Sequence, residues 1–278
     1  MKDLAAKALE KRDWPLEQFE ELTLVRSPLL KTIDTVAHAF TTRKGGNSPL
    51  PLDSFNLGRH WNTDESRADA MKNRKRLCDL LGLNSEDLAV PGQQHTNNIH
   101  FISAKNGMPP GPFHFPAIDA VATDRKQQPV LLHFADCVPV MLVDPSRKKI
   151  CVIHAGWRGT AASIVKKSAE LMCKELDCKP TDLHAAIGPA IGTCCYETGN
   201  EVIEGLRPTV SQSDSLVVYK DNSPHPDLKA FNAMQLLEAG VENIDVSSWC
   251  TACHPEIFYS HRQSAGQTGR QGALACLV

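Results

Sequence analysis

The sequence predicts an α+β fold, with mixed β-sheets flanked by helices in a single compact domain. Three observations predict it. Apolar runs of strand length outnumber amphipathic helical stretches, and they do not alternate with helices in strict βαβ order. No Gly/Ser-rich linker, low-complexity tract or internal repeat divides the 278 residues. A chain of this length buries roughly 75% of the surface its unfolded form exposes, so it folds without staples.

Each element has a local reason. Residues 1–30 read as an N-terminal extension, polar with a few apolar anchors such as Trp14 and Phe19, ahead of a domain over 31–278. Val36–Thr42 alternates as a strand does, and Arg43-Lys44-Gly45-Gly46-Asn47 breaks it. Thr63 or Asp64 caps a helix running to about Leu81, with Ala70, Leu77 and Leu81 on one side. Leu88–Val90 leads into the polar loop that carries His95. Val130–Phe134, Val138–Val143 and Ile150–Ala155 are apolar runs. Between the last two, Asp144-Pro145-Ser146-Arg147 has the composition of a type I turn, which makes them an antiparallel hairpin. Thr160 opens a helix with Ala161, Val165, Ala169, Met172 and Leu176 on one stripe. Leu183–Ile187 is a strand, Leu228–Leu237 a helix stopped by Gly240, and Ile257–Arg262 and Ala273–Val278 the closing strands.

Composition narrows the function. A net charge of −2 with no basic run gives no reason to expect a nucleic-acid partner. The apolar stretches are too short for a membrane span, and the charged start lacks the core of a signal peptide, so the expected compartment is the cytoplasm. There the ten cysteines are expected as reduced thiols. Cys250-Thr251-Ala252-Cys253-His254 matches the attachment string of c-type haem, but without an export signal it reads as a loop. Cys194-Cys195 reads as structural, because adjacent cysteines seldom point at one site.

The hairpin carries the chemistry. With Asp144 and Arg147 as turn ends, Cys137 and His154 each lie seven residues away, opposite one another on one face. Opposed Cβ atoms are about 4.5–5.5 Å apart, a separation that suits one metal ion shared by a thiolate and an imidazole. A slip of one residue would put the two side chains on opposite faces. His95 is the third ligand by its polar loop, although His100, His114 and His133 have the same ligand chemistry and spacing does not exclude them. Three protein ligands leave a fourth position open, as catalytic zinc requires. Arg43 and Arg158 lie next to glycines, where a guanidinium can reach an anion.

Several stretches resemble the YfiH family, also called the multicopper polyphenol oxidoreductase (laccase-like) or purine nucleoside phosphorylase family. They are FTTRKGG, NLGRH, QQH, AIDA, ADCVPVMLVDP, IHAGWRGTA, AIGPAIGTCCYE and CTACHPEIFYSHR with TGRQ, spanning residues 40 to 274. The resemblance implies a YfiH-type catalytic domain over 31–278, with His95, Cys137 and His154 as metal ligands. Thr96 stands where a glycine is usual and Ala190 where a cysteine is usual; neither change touches a ligand. It also implies zinc-dependent phosphorolysis of adenosine, inosine and methylthioadenosine, with adenosine deaminase activity. Cys137 and His154 would then be catalytic and the partners small: a nucleoside, and phosphate held by Arg43 and Arg158, in a monomer or homodimer. Asp136 is a candidate proton donor, although a residue beside a strand ligand points the other way unless the chain is bent. Two other reactions fit the family name: a cysteine-type amidase editing UDP-MurNAc precursors, and copper-dependent phenol oxidation. The second needs paired histidine clusters, and the sequence has no H-x-H pair.

Overall fold

The computed structural model describes residues 2–59, 63–103 and 115–278, arranged in four layers. Two sheets form the middle. The larger runs in the spatial order β1 (Lys11–Arg12), β13 (Asn243–Ser247), β10 (His184–Ile187), β8 (Val138–Asp144), β9 (Lys149–Ala155), β6 (Ala120–Thr123), β5 (Ile99–Ile102). The smaller runs β2 (Leu16–Phe19), β3 (Leu22–Val25), β4 (Val36–Thr41), β14 (Gln271–Leu277), β7 (Val130–Phe134), and β11 (Val217–Lys220) pairs with β12 (Ser223–Pro226) as a separate ribbon. β1, β10 and β13 are mutually parallel where they pair, as are β5 and β6, while β8 and β9 are antiparallel to their neighbours. The sheets are mixed, as the sequence predicts.

The helices are α1 (Lys2–Leu9), α2 (Asp64–Leu80), α3 (Trp157–Ala161), α4 (Ile164–Leu176), α5 (Asn200–Leu206) and α6 (Leu228–Glu238). α4 and α6 cover the outer face of the larger sheet, where Val165, Ala169, Met172 and Phe231 meet Val140, Leu142 and Ile153. Between the sheets, Met141, Val143 and Val152 pack on Phe40, Leu132 and Ala273. α2 closes the far side, with Leu77 and Cys78 against Leu24, Leu131 and Leu274. β8 and β9 are therefore buried on both faces, which is why they read as unbroken apolar runs. No helix among the described residues is long and apolar enough to cross a membrane.

Three departures from the sequence reading concern whole segments of the chain. Residues 1–30 do not stand apart: β1 extends the larger sheet, β2 and β3 edge the smaller, and buried Trp14 donates to Asp245 at 3.0 Å. A few apolar anchors in a polar stretch suffice to dock it. The stretch 257–262 is not a strand. Ile257 and Phe258 donate back to the carbonyl of His254, Tyr259 donates to the Gln271 side chain and Arg262 to Asp136, so local turns and side-chain acceptors take the amides a ladder would need. The expected helix from Thr160 is split: Ser163 sits at φ 58°, ending α3 and starting α4.

Candidate metal centre

β8 and β9 pair with Asp144 opposite Lys149, so four residues rather than two form the loop, and Lys148 takes the left-handed conformation at φ 54°. Asp144 still accepts from the amide of Arg147 at 2.9 Å, as an Asp-initiated turn does. His154 consequently lies opposite Pro139, and Cys137 falls level with Gly156 just beyond the ladder. The register is two residues from the expected one. A shift of two keeps every side chain on its face, so Cys137 and His154 remain diagonal neighbours on the side facing the smaller sheet.

His95 completes the group. One ligand atom from each of His95, Cys137 and His154 lies within 4.8 Å of the others, and these three could hold a metal ion. Cys137 Sγ and His95 Nε2 are 3.6 Å apart. Tetrahedral zinc, with bonds of about 2.3 Å to sulfur and about 2.05 Å to nitrogen, separates its ligands by about 3.6 Å. Gly156 makes room: a Cβ there would lie 2.8 Å from His95 Cδ2 and 3.0 Å from Cys137 Sγ. Of the alternative ligands, His100 stacks on Phe115 and His133 contacts Arg74 at 3.2 Å, so neither joins the group. His114 lies outside the described residues.

Asp119 organises the centre, and sequence reasoning passed over it. This fully buried carboxylate accepts from His154 Nδ1 at 2.8 Å, which leaves His154 Nε2 as the free ligand atom. It also accepts the backbone amides of Gln94, His95 and Thr96 and the Thr96 hydroxyl, fixing the loop in which His95 sits at φ 59°. The left-handed residue is His95 itself, so the loop tolerates Thr96 in place of a glycine. Burial works to raise the Asp119 carboxyl, but hydrogen bonds from His154 and Thr96 hold it down at about 2. Burial likewise works to raise the Cys137 thiol, yet His154 and His95 bring it down to about 6. His154 shifts the opposite way: burial opposes its charge, but Cys137 and Asp119 together carry it up to about 9.

A cavity of about 790 Å³ opens onto His95, Cys137 and His154. Asp136 lines it, and its φ of 85° supplies the bend that brings a residue adjacent to Cys137 to the same opening. The Asp136 carboxylate accepts from Thr251 Oγ1 at 2.6 Å and from the Arg262 amide at 2.7 Å. Arg59, Arg67, Arg74, Arg262 and Arg270 also line the cavity, with Asp136 the sole acidic residue among the described lining, so the opening is electropositive. Buried Asn56 ties this wall together. Its Oδ1 accepts from the Gly58 and Arg270 amides, its Nδ2 donates to the Gly58 carbonyl, and Asn73 on α2 donates to the Asn56 carbonyl. Arg74 donates to the Leu57 carbonyl, and burial with Arg59 nearby lowers its guanidinium to about 10.

The two arginines singled out by sequence lie elsewhere. Arg43 spends its donors on Asp53 and the Pro255 carbonyl, and Arg158 is exposed over the Trp157 ring; neither lines the cavity. The signal that picked them, a neighbouring glycine, is equally present in Gly58-Arg59 and Gly269-Arg270.

The profile of the family described as multi-copper polyphenol oxidoreductase laccase matches residues 37–278. The chain is 39% identical over 242 residues to "Purine nucleoside phosphorylase YlmD" of Geobacillus stearothermophilus, covering 84% of this chain and 87% of that protein. The crystal structure of Bacillus licheniformis hypothetical protein YfiH superposes with a TM-score of 0.86 at 33% identity, over 95% of this chain and 99% of the other. That of YlmD from G. stearothermophilus gives 0.85 at 34%, with the same coverage. The family match takes in His95, Cys137 and His154, and the chain belongs to the multi-copper polyphenol oxidoreductase laccase (YfiH) family.

Proposed function

We propose that the chain is a zinc-dependent purine nucleoside phosphorylase acting on adenosine, inosine and methylthioadenosine, with adenosine deaminase activity besides. The observation that carries this reading is that the His95–Cys137–His154 group and a wall of arginines line one and the same cavity. A nucleoside and a phosphate must be held together for phosphorolysis, and this cavity offers a centre for one and cationic donors for the other. The name carried by the relatives points the same way.

Zinc at the three ligands would supply a Lewis acid able to polarise a substrate oxygen. The rest of the work falls to the chain. Arg59, Arg74 and Arg270 hold the phosphate as a dianion, since a fixed guanidinium fork matches a pair of phosphate oxygens. Ile191 and Tyr196 give the base apolar surface, with Arg262 seated over the Tyr196 ring at 5.3 Å. Asp119 keeps the His154 ring in one tautomer and orientation. The test is product chromatography. Inosine should give hypoxanthine and ribose 1-phosphate only when phosphate is present, and a chelator should abolish the reaction. Release of hypoxanthine and ribose without phosphate, or full activity after chelation, would sink the proposal.

One observation favours a second reading. Cys137, His154 and Asp119 follow the order nucleophile, base, orienting carboxylate, which is the arrangement of a cysteine amidase acting on a cell-wall precursor. Chelation separates the two: a free thiol nucleophile would survive metal removal and be inhibited by added zinc.

A further inference from the structure

We propose that Cys194, Cys195, Cys250 and Cys253 form a second metal site, a structural tetrathiolate zinc centre distinct from the His95–Cys137–His154 group. Their four sulfur atoms all lie within 4.8 Å of one another. Cys253 Sγ is 3.2 Å from Cys194 Sγ and 3.4 Å from Cys195 Sγ. The sulfurs of tetrahedral zinc, with bonds of about 2.3 Å, are about 3.8 Å apart, so the cluster has the size of a loaded site.

Two loops far apart in sequence build it, with the contacting cysteine pairs 58 and 59 residues apart. A bridge between Ala190 and Cys250, with the Thr251 amide on the Ala190 carbonyl, sets the loops side by side. Contrary to the expectation for neighbouring cysteines, Cys194 and Cys195 both reach Cys253. They sit in a helical turn, closed by Cys195 and Tyr196 amides on the Gly192 carbonyl, where successive side chains diverge by about 100° instead of the 180° of a strand. The Gly192 amide donates to Cys250 Sγ at 3.2 Å, a contact that favours a thiolate.

Packing does not account for the convergence. Cys78, Cys151 and Cys276 are buried in the core as small apolar residues, but Cys194 and Cys253 are exposed and have no apolar surroundings to gain. Disulfides would join the sulfurs two by two, whereas Cys253 Sγ meets both Cys194 Sγ and Cys195 Sγ, a convergence that one shared ion explains. Zinc with four thiolates carries a formal charge of −2, and cations stand ready around the loops. Lys220 Nζ donates to the Thr193 and Cys194 carbonyls, Arg262 to the Cys195 carbonyl and Lys229 to the Trp249 carbonyl.

Four protein ligands close the coordination shell, so the site is structural. Its location gives it a purpose. The same loops carry Ile191, Tyr196 and Arg262 into the cavity, and they hold Asp136 through the Ile191 amide, Thr251 and the Arg262 amide. Zinc there would brace the wall beside Cys137.

The test is metal content of the full chain purified under reducing conditions with zinc supplied. Two equivalents are expected. Cys194→Ser and Cys253→Ser should each lose one and keep one, while the double variant His95→Ala with His154→Ala should keep one whose X-ray absorption shows four sulfur neighbours. A single equivalent, lost with the histidine substitutions and untouched by Cys253→Ser, overturns the site. So does a Cys194–Cys253 disulfide found by mass spectrometry of the alkylated protein. If a serine variant fails to fold, the wild-type absorption spectrum decides. Sulfur neighbours well above one per zinc support the site, and a single sulfur refutes it.

Discussion

Asp119 takes five hydrogen bonds from Gln94, His95, Thr96 and His154, so one carboxylate ties the His95 loop to the His154 ring. Removing it frees the His154 ring to rotate and loosens the His95 loop at once. Asp119→Ala should therefore weaken metal binding by roughly 10- to 100-fold, the usual weight of a carboxylate behind a ligating histidine. Competition against a chromophoric chelator measures this, and unchanged affinity would remove Asp119 from the centre. Gly156 gives a sharper case. An alanine methyl would press on His95 and Cys137 from within 3.0 Å, so Gly156→Ala should lose metal while circular dichroism stays native. The meeting of Cys137 and His154 was legible in the sequence because a Cys and a His in facing strands form a pattern. Asp119 stands in the AIDA stretch that carries the family resemblance, but a lone Asp among apolar neighbours has no spacing that assigns it a role. The cavity arginines were hidden because a guanidinium's destination depends on tertiary contacts such as those of Asn56, not on its neighbours in the chain.

At the scale of elements, α2 carries function inward from the side of the molecule opposite the larger sheet. Thr63 caps it by accepting from the Ser66 amide, and Leu77 and Cys78 anchor it on the smaller sheet. Arg74 then projects from its buried face into the cavity. Under the phosphorylase reading, Arg74→Met should raise the KM for phosphate roughly 10- to 100-fold, the weight of one charge-assisted hydrogen bond. The KM for inosine should move far less. An equal rise in both would show that Arg74 supports the wall instead of binding phosphate. The helix itself was legible from its cap and apolar side. The hairpin was legible in existence and face but not in register, because its loop holds two more residues than a minimal turn. Lys148 in the left-handed region gives no warning of that in a lysine codeword. The stretch 257–262 misled for a related reason: Ile257 and Phe258 pack into the core between the sheets, while the amides are bonded locally.

Across the whole molecule, stability depends on the seam where the two sheets face each other. His38 sits in it, on β4 opposite Ala275, fully buried on the side shared with Val36 and Phe40. Burial, helped by Arg26 and Lys31, pushes its imidazole from 6.5 down to about 3. The sign follows directly. Between these values the unfolded chain binds a proton that the folded chain refuses, so stability falls as pH drops through 6.5 and goes on falling towards 3. From pH 7.5 to pH 5 the loss from this one group amounts to about 2 kcal/mol. Other groups titrate over the same range, the metal ligands among them, so a single melting curve cannot isolate it. The difference between the wild type and His38→Leu can, because the background is common to both. Leucine of similar volume keeps the seam filled and carries no proton. Urea unfolding of both proteins at pH 7.5 and pH 5 should show the variant gaining about 2 kcal/mol relative to the wild type on acidification. A gap between the two that stays constant with pH would mean the sheets part enough to let water reach His38, and that the seam is not the dry interior its packing describes.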